Sequence, residues 1–139
     1  MSLSASLPRR IVCLTEETTE ILYLLGEEDR IVGISGFTVR PPRARREKPK
    51  VSAFTSAKIE RIVALKPDMV LGFSDLQADI AADLIRQGMT VLVFNQRSVD
   101  EILSLIRILG GLVGAQGRAE SLVSDYSSRI AQCLSLIHI

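Results

Sequence analysis

Short apolar runs recur along the chain, and each is followed by a segment whose apolar residues are spaced as on a helix. The runs are continuous rather than alternating, which is typical of strands buried on both faces of a parallel sheet. They occupy residues 10–14, 30–35, 68–73 and 90–95. The pattern therefore predicts an α/β fold, a doubly wound and mostly parallel sheet with helices on both faces.

Helical segments follow these strands, and most of them carry start or stop signals. Gly26 and Gly88 stand where a helix would end, and Ser98 with Glu101 has the spacing of a capping box. The predicted helices cover residues 18–26, 55–68, 74–89 and 98–114. Strand and helix thus alternate through most of the chain.

The chain from Arg118 onward is predicted to form one long helix. Its apolar stripe consists of Leu122, Tyr126 and Ile130, with either Cys133 or Leu134 continuing it. No Gly, Pro or basic last turn ends this helix, so residues 133–139 are not expected to be its natural ending. If the stripe is exposed, it predicts self-association through the last helix.

Composition narrows the possible functions. The 139 residues contain 17 Lys and Arg against 16 Asp and Glu, so the chain has no general attraction for nucleic acid. Cys13 and Cys133 lie in apolar segments and are predicted to be buried thiols rather than a disulfide or a metal site. His138 is the only histidine, and no zinc site or histidine-dependent catalytic triad is expected.

The sequence offers little for catalysis or phosphate binding. The glycine cluster at 110–117 lies between two helices, where it predicts a helix stop and turn rather than a phosphate loop. Glu16 and Glu17 follow the first strand, where they would repel a phosphate and would complement the helix dipole. No nucleophile stands beside a candidate base. We therefore expect no enzyme, and keep an α/β enzyme or nucleotide-responsive domain as the alternative.

Six basic residues and three prolines lie between Phe37 and Phe54. The prolines predict an extended surface loop, and the lack of aromatic residues within 40–50 argues against nucleic-acid binding. Phe37 follows one strand and Phe73 ends another, which places both at the carboxyl ends of strands, where open α/β sheets bind ligands. The basic loop is therefore predicted to form the rim of a ligand site, with its remaining cations facing solvent.

Three segments carry a family resemblance: "RIVCLTEETTEILYLLGEEDRIVGIS", "RPPRAR" and "KVSAFTSAKIERIVALKPDMVLGF". Over residues 9–133 the chain resembles the amino-terminal lobe of class III periplasmic-binding proteins, the substrate-binding components of ABC importers for cobalamin, ferric siderophores and haem. The resemblance implies a ligand-binding lobe over residues 9–116 and the start of an inter-lobe helix over residues 117–139.

The resemblance also implies a site, a ligand and a partner. The ligand would be cobalamin or a ferric chelate, with no required cofactor and no metal held by the protein itself. Glu60 matches an acidic residue that meets an arginine pocket on the ABC permease. The implied ligand-binding residues are Thr15, Glu16, Glu17, Phe37, Thr38, Arg40, Phe54, Thr55, Phe73, Ser74 and Asn95.

Two features depart from the family pattern. The family usually has Ser-Pro-Ser-like residues where this chain has "TEET" at 15–18, and the added acids favour a less anionic ligand. The sequence as written carries no export signal and no apolar run of about 18 residues, which predicts a cytoplasmic protein. The resemblance implies a periplasmic one if an export signal has been removed.

Overall fold

The computed structural model describes residues 7–53 and 56–137, and for residue 137 the backbone alone. Five parallel strands form one sheet in the order β3-β2-β1-β4-β5. The strands are β1 Ile11–Cys13, β2 Ile31–Ser35, β3 Lys50–Ser52, β4 Met69–Phe73 and β5 Val91–Phe94. The helices are α1 Glu16–Leu24, α2 Ala44–Glu47, α3 Ile59–Ala64, α4 Ala78–Arg86, α5 Val99–Leu112 and α6 Gln116–Ile137. The prediction of a doubly wound α/β fold with a long last helix is confirmed. None of these helices is long and apolar enough to cross a bilayer.

Two apolar layers cover the sheet, one on each face. Ile11 and Cys13 belong to the layer that contains α1, α5 and α6, whereas Val12 and Leu14 belong to the layer that contains α3 and α4. Successive side chains of a strand point to opposite faces, so a continuous apolar run serves both layers. This is why the first strand is apolar at every position.

The proline-rich loop is not extended, contrary to the prediction. It contains the short helix α2, and the side chain of Ala44 is completely buried. The carbonyls of Pro41 and Pro42 accept hydrogen bonds from the N–H groups of Ala44 and Arg45, at 3.0 and 3.3 Å. Both prolines precede Arg43, the N-cap of α2, so they lead into the helix without being part of it.

The strand β3 was not predicted, and the helix predicted over 55–68 is shorter in the structure. After β3 the chain doubles back: Ala57 forms an antiparallel bridge with Ser52, and the Lys58 N–H donates to the Val51 carbonyl at 2.8 Å. Helix α3 can begin only after this return, at Ile59.

The apolar stripe of α6 is not the exposed surface that the sequence suggested. Leu122 and Tyr126 are half-buried against the core, and Ile130 is half-buried as well. The apolar side chains that α6 does expose are Leu134, 52% accessible, and Leu136, 72% accessible. Self-association through α6 stays a prediction, and it would have to use the far end of the helix.

The glycine cluster both ends α5 and brings α5 close to α6. Gly114 has a φ of 71° and forms the turn, as predicted. Gly110 lies inside α5, and a Cβ built there would be 2.4 Å from the Cβ of Ala119. Two helices pack this closely only where one of them lacks a side chain.

The two cysteines differ in burial, so one prediction is confirmed and the other is wrong. Cys13 is completely buried, but Cys133 lies on the exposed side of α6. Burial raises the pKa of the Cys13 thiol to about 11, against a partial offset from the hydroxyls of Thr18 and Thr19. His138 lies outside the described residues.

We expect one thiol of the folded protein to react quickly with Ellman's reagent at pH 8, and both to react in denaturant. Cys133 is accessible, whereas Cys13 is buried and its raised pKa of about 11 keeps it protonated at pH 8. The control is Cys133→Ser, which should show no fast phase. If both thiols of the native protein reacted quickly, Cys13 could not be buried as the structure shows it. Because the unfolded thiol ionises near pH 8.5, the contribution of Cys13 to stability should be complete below that pH and fall as the pH approaches 11.

Candidate functional site

The carboxyl ends of the parallel strands meet along one side of the sheet, which we call the carboxyl edge. It comprises the residues at or just after the ends of β1, β2, β4 and β5, among them Thr15, Phe37, Phe73, Ser74 and Asn95. The chain winds outward from β1 through β2 to β3, then crosses to β4 and β5. The strand order therefore changes direction between β1 and β4. This topological switch point is where open α/β sheets bind their ligands.

A buried glutamine lies between the ends of β1 and β4, at this switch point. Gln77 is 1% accessible, and its Nε2 donates to the Leu14 carbonyl at 3.0 Å. Its Oε1 accepts from the Phe73 N–H at 2.8 Å. One amide thus joins the ends of β1 and β4, with room provided by Gly72, where a Cβ would be 3.2 Å from the Gln77 Oε1. Sequence reasoning missed Gln77.

Ser74 connects the ends of β4 and β5. Its N–H donates to the Phe94 carbonyl at 2.7 Å, and its Oγ accepts from the Leu76 N–H at 3.1 Å. Its φ of 58° is unusual for a residue with a side chain, and such a conformation costs roughly 1 kcal/mol or more. The side chain is buried, so Ser74 shapes the edge more than it offers a hydroxyl to solvent.

The turn that carries Phe37 is held by the basic loop. The Arg45 Nη1 donates to the Gly36 carbonyl at 2.6 Å and to the Thr38 carbonyl at 3.1 Å. The Lys50 Nζ in turn donates to the Arg45 carbonyl at 2.7 Å. Phe37 itself is 65% accessible. Arg45 and Lys50 are exposed, as predicted for the remaining cations, and each also donates to backbone: Arg45 to the turn that carries Phe37, and Lys50 to α2.

A second contact ties the loop to α1. The Arg43 guanidinium lies 4.7 Å from the centre of the Tyr23 ring, and the Tyr23 hydroxyl donates to the Glu47 Oε2 at 2.6 Å. Burial, together with the hydrogen bond to Glu47, raises the pKa of Tyr23 well above its usual range. Arg40 is exposed at the mouth of a cavity of about 310 Å³, whose wall includes Glu20 and Tyr23. These contacts hold the backbone of the loop in place, and Phe37 and Arg40 are exposed on it.

The loop after β1 is largely occupied with its own contacts. Thr15 is buried, its Oγ1 is 3.1 Å from the Thr18 Oγ1, and its carbonyl accepts from the Thr19 hydroxyl at 3.2 Å. Glu16 is half-buried and Glu17 is exposed, both in the first turn of α1, where acids complement the helix dipole.

The remaining predicted residues fall into three groups. Thr38 is completely buried, and no hydrogen bond to its Oγ1 is present among the described residues. Phe73 is half-buried, and Asn95 is exposed on a cavity of about 390 Å³ that Ser74 also lines. Phe54 and Thr55 lie outside the described residues. The edge therefore brings together Phe73, Ser74 and Asn95, whereas Phe37 follows β2, which β1 separates from β4.

Glu60 lies apart from the carboxyl-edge residues. It occupies the first turn of α3 and is exposed, beside a cavity of about 290 Å³ that Val63 and Gln87 also line. Over residues 7–53 and 56–137, no group of three His, Cys, Asp or Glu side chains is placed to hold a metal ion. The polar chemistry of the carboxyl edge is that of hydroxyls, amides and a few charged side chains.

The fold is a five-stranded, doubly wound α/β unit, and comparison identifies its family. The sequence profile of the periplasmic binding protein family matches residues 11–137, so the chain belongs to this family. A relative, the ABC transporter substrate-binding lipoprotein YvrC of Bacillus subtilis (strain 168), is 33% identical over 126 residues, which are 87% of this chain and 39% of the relative. The chain spans between about a third and a half of the length of the curated relatives that it matches.

Solved structures agree with this assignment. A periplasmic heme binding protein from Pseudomonas aeruginosa superposes with a TM-score of 0.86 at 25% identity, over 95% of this chain and 48% of that one. The periplasmic vitamin B12 binding protein BtuF of Vibrio cholerae gives a TM-score of 0.80 at 26% identity, over 90% of this chain and 50% of that one. The chain therefore corresponds in fold to about half of each of these proteins.

Proposed function

We propose that the chain is the ligand-binding lobe of an ABC importer's substrate-binding component, and that it binds cobalamin or a related metal chelate, such as haem or a ferric siderophore, at the carboxyl edge. It carries out no catalysis in this role. Its ligand is the transported cargo.

The observation that carries the proposal is the form of the carboxyl edge. Gln77 closes the floor of the β1–β4 switch, so a ligand lies across the edge and does not enter between the strands. Phe37 is 65% accessible at this edge, and Phe73 is half-buried there. A broad, flat chelate would cover both rings, and aromatic rings are the side chains that contribute most on burial. The names of the two structural neighbours, which bind haem and vitamin B12, agree with such a ligand.

The charge of the edge is mixed. Arg40 is exposed beside α1, on a cavity that Glu20 also lines, and Glu16 and Glu17 lie at the start of the same helix. This mixture suits a ligand with both polar amide groups and a modest charge better than a strongly anionic one. Among the proposed ligands, a corrinoid fits this pattern best.

One lobe alone should bind weakly. A micromolar complex requires about 8 kcal/mol, and if two walls share the contacts equally, one wall provides about 4 kcal/mol, which corresponds to roughly millimolar affinity. The measurement must therefore detect weak binding and locate it at the same time.

We expect cyanocobalamin, added to the ¹⁵N-labelled chain, to shift the amide resonances of Phe37, Phe73 and Asn95 in fast exchange. Phe37→Ala should weaken this binding roughly 10- to 100-fold, because a buried phenylalanine contributes about 1.5–3 kcal/mol. The melting temperature should stay unchanged, since the ring is 65% accessible in the free lobe.

Leu134→Ala is the matched control, because Leu134 is 52% accessible but lies near the far end of α6. It should bind as tightly as the unmodified chain. Parallel titrations with cobinamide, haemin and a ferric siderophore would rank the ligands. Shifts that appear with ATP and with none of these chelates would reject the transport function in favour of a nucleotide-responsive domain.

We further propose that Glu60 contacts the ABC permease, and that the protein acts in the periplasm or on the outer side of the cell membrane. Glu60 is exposed in the first turn of α3, away from Phe37 and Phe73. Glu60→Ala should keep the cobalamin shifts and lose binding to permease in nanodiscs. Loss of the shifts instead would place Glu60 in the ligand site.

A further inference from the structure

Phe37 is an exposed ring whose position does not come from packing. It is 65% accessible, and it belongs to neither of the two apolar layers of the described structure. A buried side chain is fixed by the atoms packed around it, whereas this one is placed by the backbone that carries it. We call that backbone, residues 36–38, the Phe37 turn.

Strands β2 and β3 hold the N–H groups of the Phe37 turn. The Gly36 N–H donates to the Ser52 carbonyl at 2.6 Å, and the Thr38 N–H donates to the Ser35 carbonyl at 3.1 Å. The Phe37 N–H donates to the Ser35 Oγ at 3.2 Å. All three donors of the turn are therefore satisfied by the ends of the two strands.

One arginine holds the carbonyl groups of the Phe37 turn. The Arg45 Nη1 donates to the Gly36 and Thr38 carbonyls, so a single guanidinium nitrogen joins the first residue of the turn to the last. A guanidinium is always charged, and hydrogen bonds from a charged donor are stronger than those between neutral groups. Arg45 is exposed, so its contacts stabilise the turn and not the apolar core.

The backbone of Arg45 is itself fixed. Ala44, the preceding residue of α2, is completely buried, and the Lys50 Nζ of β3 donates to the Arg45 carbonyl at 2.7 Å. Arg43, at the start of α2, packs its guanidinium on the Tyr23 ring of α1. The Phe37 turn is thus tied through Arg45 to a short helix that α1 and β3 hold in place.

We propose that Arg45 is a positioning residue for Phe37: it holds the turn in the conformation that presents the ring to the ligand. This inference rests on the proposed function, in which Phe37 contacts the ligand. A mobile turn would have to become ordered on binding, and that ordering would lower the affinity, whereas a turn that is already ordered avoids the loss. In this role Arg45 acts on the ligand through Phe37.

The first measurement needs no ligand. Backbone ¹⁵N relaxation of the 139-residue chain should show Phe37 and Thr38 to be as rigid as the strands. In Arg45→Met, the order parameters of these two amides should fall toward about 0.6, while those of β1 stay at about 0.85. The unchanged values in β1 would show that the variant is folded.

Arg46→Met is the matched control. Arg46 is the next residue of α2, it is exposed, and its side chain makes no hydrogen bond or ion pair with any described residue. Both substitutions remove one positive charge from the same helix, so a difference between them measures the hydrogen bonds of Arg45 and not its charge. Arg46→Met should leave the order parameters of the Phe37 turn unchanged.

The second measurement adds cyanocobalamin, and the initial slope of the Phe73 amide shift against its concentration reports the affinity. Arg45→Met should reduce this slope roughly 3- to 10-fold, because the ligand must then order the turn. Arg46→Met should not reduce it. Combined with Phe37→Ala, Arg45→Met should cause no further loss, because Arg45 acts through that ring.

A Phe37 turn that stays rigid in Arg45→Met overturns the proposal, whether or not cyanocobalamin binds. A mobile turn with an unchanged slope also overturns it, and so does an equal loss of affinity in Arg46→Met, which would assign the effect to charge. A further loss in the double variant would show that Arg45 supports more of the site than Phe37, which rejects the positioning role.

The unmodified chain separates this proposal from the one on which it rests. If it shows no shift with cyanocobalamin, cobinamide, haemin or a ferric siderophore, the proposed function fails, and the ligand step of this proposal fails with it. The relaxation measurement does not depend on that result, and it decides by itself whether Arg45 holds the Phe37 turn.

Discussion

Replacing Gln77 with leucine is expected to lower the free energy of unfolding by about 2–4 kcal/mol, because the substitution removes one hydrogen-bond partner each from the Phe73 N–H and the Leu14 carbonyl in a buried place. The leucine is close in size, so the cost reflects the lost polar contacts. Urea unfolding followed by circular dichroism measures this change.

Gln87→Leu is the control for Gln77→Leu. Gln87 is exposed at the end of α4, so its substitution should change the free energy of unfolding by less than about 0.5 kcal/mol. The Gln77→Leu variant should also loosen the carboxyl edge, with faster amide exchange at Phe73 than at Ile11 in the sheet centre. Equal free energies of unfolding for the two variants would show that the Gln77 amide does not hold the ends of β1 and β4 together.

Gly110→Ala is expected to destabilise the lobe by about 1–3 kcal/mol, because its new Cβ would meet the Cβ of Ala119 at 2.4 Å and the carbonyl oxygen of Ala115 at 3.3 Å. Both neighbours belong to the start of α6 or the turn before it, so α5 and α6 would have to move apart. Thermal unfolding is the direct measurement.

The adjacent glycine provides a matched control. Gly111 lies in the same helix, and nothing lies within 4 Å of a Cβ built there. Gly111→Ala should therefore keep or raise stability, by at most about 1 kcal/mol from helix propensity. Combining Gly110→Ala with Ala119→Gly should recover part of the loss, in a double-mutant cycle with a favourable coupling energy. If both alanine variants behave alike, the close approach of α5 and α6 does not limit stability.

The parts of the fold that were predicted are those whose burial leaves a repeating signal. The four predicted strands lie in continuous, mostly apolar runs because both faces of the sheet are covered, and the pattern shows this directly. β3 is flanked by polar residues and begins at Lys50, so it leaves no such run. α2 was hidden because Pro41 and Pro42 were taken to prevent regular structure, whereas they precede its first turn.

The candidate site was predicted less completely, for a different reason. Phe37 and Phe73 were identified from their place after strands in a chain poor in aromatics, and the structure puts both at the carboxyl edge. Gln77 and Arg45 act through hydrogen bonds between the side chain and backbone groups elsewhere in the chain, which no spacing in the sequence reveals. Cys133 was wrongly predicted to be buried because its neighbours in the sequence are apolar, whereas its side chain is exposed on α6.

The direction of helix α6 depends on how its first part is packed against the lobe. The lobe holds its first part through buried Ala119 and Val123 and through the ion pair between Arg118 and Glu27 at 3.3 Å. Tyr126 also packs against the core, and the helix extends about 17 Å beyond it. A tilt of about 10° at the contact between Gly110 and Ala119 would displace the end of the helix, about 27 Å away, by roughly 5 Å. The direction of α6, and hence the position of its last turn, therefore depends on Gly110 having no side chain.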